Sequence, residues 1–174
     1  SDYKAALKDF TLFAGKVPLP PRFVFGYWWS RYWAYSDNEM RDVVSQFEKF
    51  NIPLDVLVVD MDWHETDSLF AKPDKWGQRK HWTGYTWEKR LFPDPDQFFD
   101  WAKSKHLKTT LNLHPASGIA PFESQYKDFA KRMNFDISIH ENIPWQGSNK
   151  KFMSTLFDAV LHPIEQQGVD FWWL

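Results

Sequence analysis

The stretch that most restricts the fold is LDVLVVDMDW, residues 54–63, a Val-rich run that closes on two aspartates. Its β-branched residues follow one another without polar interruption, which reads as a buried strand. FVFGYWWS, residues 23–30, is similar: aromatic, β-favouring and apolar on both faces. Strands of that kind are covered on both sides, as in parallel sheets flanked by helices.

Helical signals fill the intervals. Ser36 and Glu39 form an S-x-x-E capping box, and Met40, Val43, Val44, Phe47 and Phe50 then recur on one face. Asp94 can cap and Pro95 open a second helix with Phe98, Trp101 and Ala102 inward, before KTTLNLHP as strand three. A third helix over residues 121–133 presents Phe122, Tyr126, Phe129 and Met133. A fourth, over residues 149–167, buries Phe152, Leu156, Phe157, Val160, Leu161 and Ile164, with Pro163 kinking it, and leads to GVDFWWL as strand four. Ahead of all this, Tyr3, Ala6, Leu7 and Phe10 lie at helical spacing, Gly15 ends that run, and VPLPPR is a stiff lead-in. Residues 63–93, with His64, Glu65, Lys72, Pro73, Trp76, Gly77, Trp82, Gly84 and Tyr85, lack periodicity and read as a long loop.

The order β-α-β-α-β-α-β implies right-handed crossovers and a parallel α/β sheet, either doubly wound or a (β/α)8 barrel. The seven glycines make neither a G-x-G-x-x-G nor a Walker turn, so a nucleotide-binding open sheet lacks its phosphate cradle. The barrel is favoured, and four strands are half of one.

Composition excludes several partners. Charge is balanced, 21 Lys and Arg against 23 Asp and Glu, with no basic block to track a phosphate backbone, so no nucleic acid is expected. No stretch approaches the roughly 20 apolar residues of a membrane span, so no membrane partner is expected either. Zero cysteines exclude disulfides and thiolate zinc sites but leave cytoplasm, periplasm and secretion equally open. The distinctive figure is 19% aromatic residues, with 11 Trp. Most serve the core, yet aromatic faces also stack on sugar rings or bases.

In parallel α/β folds the site lies at the C-terminal strand ends. Strand one ends in WWSRYW, strand two in Asp60-Met61-Asp62-Trp63-His64, strand three in Asn112-Leu113-His114-Pro115 and strand four in Trp172-Trp173-Leu174. Carboxylates that accept paired hydroxyls, beside rings that cover C–H faces, suit a polyhydroxylated ligand. A structural reading stands beside each: Asp60 and Asp62 as a loop cap and an ion pair, His114 as a hydrogen-bonded loop histidine. His64, His81, His106, His140 and His162 read as surface or loop residues. A metal held by Asp60, Asp62, His64 and Glu65 fits by ligand type, but neighbouring positions alternate direction. A strand followed by D-x-D also resembles the nucleophile loop of haloacid-dehalogenase-type phosphatases, although His64 stands where Thr or Val is expected. No metal and no cofactor is expected.

PLPPRFVFGYWWSRYWAYS, NIPLDVLVVDMDWH, LFPDPDQFFDWAKSKHLKTTLNLHP and QGVDFWWL resemble, in order and spacing, the first half of the catalytic barrel of glycoside hydrolase family 31. The resemblance implies a partial TIM barrel of four strands: residues 1–21 a helix and Pro-rich lead-in from a preceding β-sandwich domain, residues 22–174 the half-barrel, ending at strand four. It implies a retaining α-glycosidase of carbohydrate metabolism, or a related transglycosidase or lyase. Its partners would be an oligosaccharide or α-glycoside substrate and the remaining domains of its own chain. Sugar contacts map onto Tyr32, Asp60, Met61, Asn112, His114 and Trp173. His114 stands where α-glucosidase members carry a sugar-binding Asp, which argues against ordinary glucose specificity. In the family's W-x-D, Trp173 and Leu174 fill the first two places. The nucleophile is expected immediately after Leu174 and the acid/base later, about 5–5.5 Å from it. No catalytic carboxylate falls inside these residues, and by themselves they are expected to be inactive. A non-catalytic carbohydrate-binding domain is the alternative.

Overall fold

Val56–Val59 is one of two inner strands of a four-stranded sheet, and all four of its side chains are buried. Fully burying a Val or Leu is worth about 1.5–3 kcal/mol, so this short run alone strongly favours a covered sheet. The computed structural model describes residues 2–67, 75–77, 80 and 82–174. In it β1 is Trp28–Trp29, β2 is Val56–Val59, β3 is Lys108–Asn112 and β4 is Phe171–Trp173. They run parallel in chain order, β1-β2-β3-β4. Helices make the crossovers: α2 (Asp37–Lys49), α3 (Pro95–Ser104), then α4 (Tyr126–Met133) and α5 (Lys150–Leu156). α1 (Tyr3–Ala14) precedes the sheet. Among the described residues no helix is long and apolar enough to cross a membrane.

The register sorts strand side chains into two faces. Trp29, Leu57 and Val59 share a face with Leu111 and Trp172, and pack on Met40 and Val44 of α2 and Phe98 and Phe99 of α3. The opposite face carries Trp28, Val58, Thr110, Asn112, Phe171 and Trp173. In a (β/α)8 arrangement that second face is the barrel interior. A second cluster, around Phe129, Ile119, Ile143 and Phe152, joins α4 and α5 to the loop after β3.

The helix starts fall where local chemistry sets them. Glu39 N–H donates to Ser36 Oγ at 3.3 Å, and Ser36 N–H donates to the Glu39 carboxylate at 2.8 Å, a complete capping box. Asp94 accepts from Gln97 N–H at 3.1 Å with Pro95 in the first turn of α3.

Four expectations need correction. The first strand is only Trp28–Trp29; Arg22–Phe25 is a 3-10 turn. Gly26 sits so close to Asp55 that a Cβ would lie 2.2 Å from its carboxyl carbon, and Asp55 accepts from Tyr27 N–H at 3.0 Å. The chain bends around Asp55 before pairing begins. Phe23 and Trp28 pack instead on Phe171, centroids 5.8 and 5.4 Å apart, at the N-terminal end of the interior face. The third helix begins at Tyr126, because residues 121–125 form turns that carry Glu123 inward. The fourth helix contains a π turn, Phe157–Leu161, just before α6 (His162–Glu165). Pro163 has no N–H to give and its ring crowds the preceding turn, so the helix widens upstream. The added residue shifts the helical phase and leaves Phe157 40% exposed, against expectation, while Phe152, Leu156, Val160, Leu161 and Ile164 are buried. Tyr3, Leu7 and Phe10 of α1 and Phe50 at the end of α2 are also exposed.

Candidate functional site

β2 delivers Asp60 to its C-terminal end, two residues beyond Val58 and therefore on the interior face. Its Oδ1 accepts from Met61 N–H at 2.8 Å, which turns the chain into the 3-10 turn Met61–Trp63. Asn112, at the end of β3, donates its amide to the same oxygen. Asn112 pairs in register with Trp173 of β4. Two further bonds fix this rim: Trp63 Nε1 donates to Asn112 O at 2.7 Å, and Leu113 N–H donates to Trp173 O at 2.8 Å. Met61 is buried beside the half-buried Asp60, and Trp173 is 40% exposed. Trp172, also at this strand end, faces the helices and donates to Glu165 at 2.8 Å.

An aromatic row lies outside this recess. Tyr32 is 57% exposed and stacks on Trp82 at 5.9 Å between centroids. Trp82, 48% exposed, meets the ring of the exposed His114 at 5.9 Å and 71°. The structure thus joins Tyr32 and His114 through a loop tryptophan that the sequence marked only as aperiodic.

The two described ends of that loop are paired with each other. Glu65 N–H donates to Thr86 O and Glu88 N–H to Trp63 O, both at 2.9 Å, around an antiparallel bridge between His64 and Trp87. His64 is consequently 1% exposed, a correction to its reading as a surface or loop residue. Its ring fills the space at Gly84, where a Cβ would lie 2.1 Å from Nδ1. Burial lowers its pKa to about 4, with the Glu65 backbone and the Asp62 charge acting the other way. His106 and His162 do sit at the surface, and His140 is half-buried; His81, like Lys72 and Pro73, lies outside the described residues.

Glu123 is a buried carboxylate that the sequence reading did not single out. It is buried, accepts from Tyr85 N–H at 3.2 Å and from the Thr86 hydroxyl, and holds its other oxygen without a hydrogen bond among the described residues. Burial pushes its carboxyl up to about 7 against the pull of those donors. The Tyr85 hydroxyl, buried nearby, is pushed above the usual phenol range by burial and the Glu123 charge.

The carboxylates at the end of β2 point to separate neighbours. Asp62 is buried and accepts from the Thr66 hydroxyl at 2.8 Å, Glu65 pairs with Lys80, and Asp60 faces Asn112. They do not converge as the four-ligand metal reading requires. Among the described residues no group of three or more His, Asp and Glu side chains is placed to hold a metal.

A parallel sheet in chain order, helices on one face and a polar, aromatic rim at the C-terminal strand ends define part of a (β/α)8 barrel. The family model for the glycosyl hydrolases family 31 TIM-barrel domain matches residues 17–174, and the chain belongs to that family. Membership removes the phosphatase reading of Asp60 and Asp62. An alpha-xylosidase of Saccharolobus solfataricus is 24% identical over 168 residues, which are 97% of this chain and 20% of that protein. Neutral alpha-glucosidase C of Macaca fascicularis is 28% identical over 141 residues, 80% of this chain and 16% of the relative. The crystal structure of the family 31 alpha-xylosidase from Xanthomonas citri superposes with a TM-score of 0.73 at 19% identity, covering 98% of this chain and 18% of that one. The chain spans about a fifth or less of the length of these proteins.

Proposed function

We propose that residues 22–174 form the first half of the catalytic barrel of a retaining α-glycosidase, with residues 1–21 leading in from a preceding domain. The observation that carries this is the shared interior face of Asp60, Asn112 and Trp173. A carboxylate oriented by Met61 N–H and the Asn112 amide stands beside an exposed indole, on a family 31 barrel. Asp60 accepts hydroxyls of the sugar whose glycosidic bond is cleaved, Asn112 orients it, and Met61 and Trp173 wall the pocket. Tyr32 and His114 border its mouth. The nucleophile follows Trp173-Leu174 in the family's W-x-D, and the acid/base comes from a later strand. Relatives named alpha-xylosidase and alpha-glucosidase support an α-xyloside or α-glucoside substrate. His114 in place of Asp removes an anionic hydroxyl acceptor, which disfavours ordinary glucose recognition.

The test is Asp60→Ala in the whole protein, assayed on 4-nitrophenyl α-xyloside and α-glucoside. Hydrogen bonds to sugar hydroxyls strengthen in the transition state, so kcat/KM should fall by about 10²-fold or more. Kinetics close to wild type would remove Asp60 from the site.

A further inference from the structure

We propose that Trp63 is a positioning residue for Asp60 and Asn112, acting through its indole N–H on the backbone of Asn112. This rests on the glycosidase reading and adds to it a residue behind the recess on which turnover depends. β2 and β3 are last paired at Val59 and Leu111, so the ladder has ended where Asp60 and Asn112 stand. Beyond that point no backbone pairing fixes the height of one strand end against the other. The indole of Trp63 supplies the tie: Nε1 donates to Asn112 O at 2.7 Å, joining residues 49 apart in sequence. Asn112 in turn donates its side-chain amide to Asp60 Oδ1, which also accepts from Met61 N–H at 2.8 Å. Both bonds fall on Oδ1, which leaves Oδ2 to accept a sugar hydroxyl.

Trp63 is fully buried, so it acts on the recess only through Asn112 and Asp60. Its ring packs on Trp87 at 5.0 Å between centroids, on His64 at 5.2 Å and on Trp172 at 6.2 Å. Its N–H donates to Asp60 O at 3.1 Å, and its carbonyl accepts from Glu88 N–H at 2.9 Å. The neighbouring indoles are anchored as well, Trp87 to Gln167 and Trp172 to Glu165, each at 2.8 Å. A buried indole N–H needs an acceptor in every case. The three differ in what they hold: Gln167 and Glu165 are side chains ahead of β4, whereas Asn112 O belongs to the residue that orients Asp60. A displacement of about 1 Å at a reacting centre can cost about 10²-fold in rate, so a bond that sets the place of Asn112 has kinetic weight beyond its part in stability.

The deciding experiment uses the whole enzyme, assayed on 4-nitrophenyl α-xyloside and α-glucoside. Trp63→3-benzothienylalanine, incorporated site-specifically, keeps the shape of the indole and removes only the N–H, so the core stays filled. On the cleaved glycoside kcat should fall by about tenfold with KM changed by less than about twofold, the pattern of an interaction used only in the transition state. The same replacement at Trp87 breaks a bond of nearly equal length to Gln167 and should change kcat by less than about twofold, whatever it does to Tm. In an Asn112→Ala background the replacement at Trp63 should add less than about twofold, because the side chain it positions is gone. Equal losses at the two tryptophans, no loss at either, or a full tenfold loss added to Asn112→Ala would overturn the positioning role and leave the glycosidase reading intact. A wild-type enzyme that cleaves neither glycoside would overturn both.

Discussion

At the scale of single residues, the unusual groups are two buried ionisable side chains with opposite behaviour. Glu123 is neutral in the folded protein up to about pH 7, whereas an unfolded glutamate ionises near 4.5. His64 stays neutral down to about pH 4, whereas an unfolded histidine gains a proton near 6.5. For Glu123 the folded state binds the extra proton, so its contribution is complete below 4.5 and is lost as pH rises through 7. For His64 the unfolded state binds the extra proton, so its contribution is complete above 6.5 and is lost as pH falls toward 4. Between about 4.5 and 6.5 the two slopes cancel. Glu123→Gln should therefore expose the histidine alone: stability should fall by about 1.4 kcal/mol per pH unit below 6.5, seen in urea midpoints followed by tryptophan emission. A variant whose midpoint stays flat across that interval would contradict the burial of His64.

At the scale of elements, local capping and tertiary packing contribute separately. The Ser36–Glu39 box satisfies the first turn of α2 irrespective of what the helix packs on. Ser36→Ala should cost about 1 kcal/mol, read as roughly fivefold faster amide exchange in peptides covering the start of α2. Unchanged exchange there would mean that Met40 and Val44, packed against the sheet, hold the turn without its cap. The capping box, the Asp94-Pro95 start and the Val-rich strand were legible because each is encoded within a few residues. The shortened first strand and the π turn were not. Gly26 yields to Asp55, and the strain at Pro163 relaxes upstream, in residues that look regular on their own.

At the scale of the whole molecule, the sheet has two edges, β1 and β4, and an interior face that ends at Phe23, Trp28 and Phe171. Edge strands and an uncovered aromatic face favour association. Residues 1–174 produced alone should bind ANS and self-associate. A monomer that is ANS-silent and melts sharply would show that four strands suffice for an independent fold.

The amino-acid sequence by itself determined the alternation of strand and helix, the parallel sheet, the strand-end position of Asp60 and the family. Those properties depend on periodicity, caps and short motifs, which act over a few neighbours. Only the tertiary structure decided that Asn112 reaches Asp60 from 52 residues away and that Thr86 meets Glu123 across 37. It also decided that His64 is buried and that Trp82 stands between Tyr32 and His114. Each of these depends on strand register and loop closure, which bring together residues whose local sequence contains no trace of their partners.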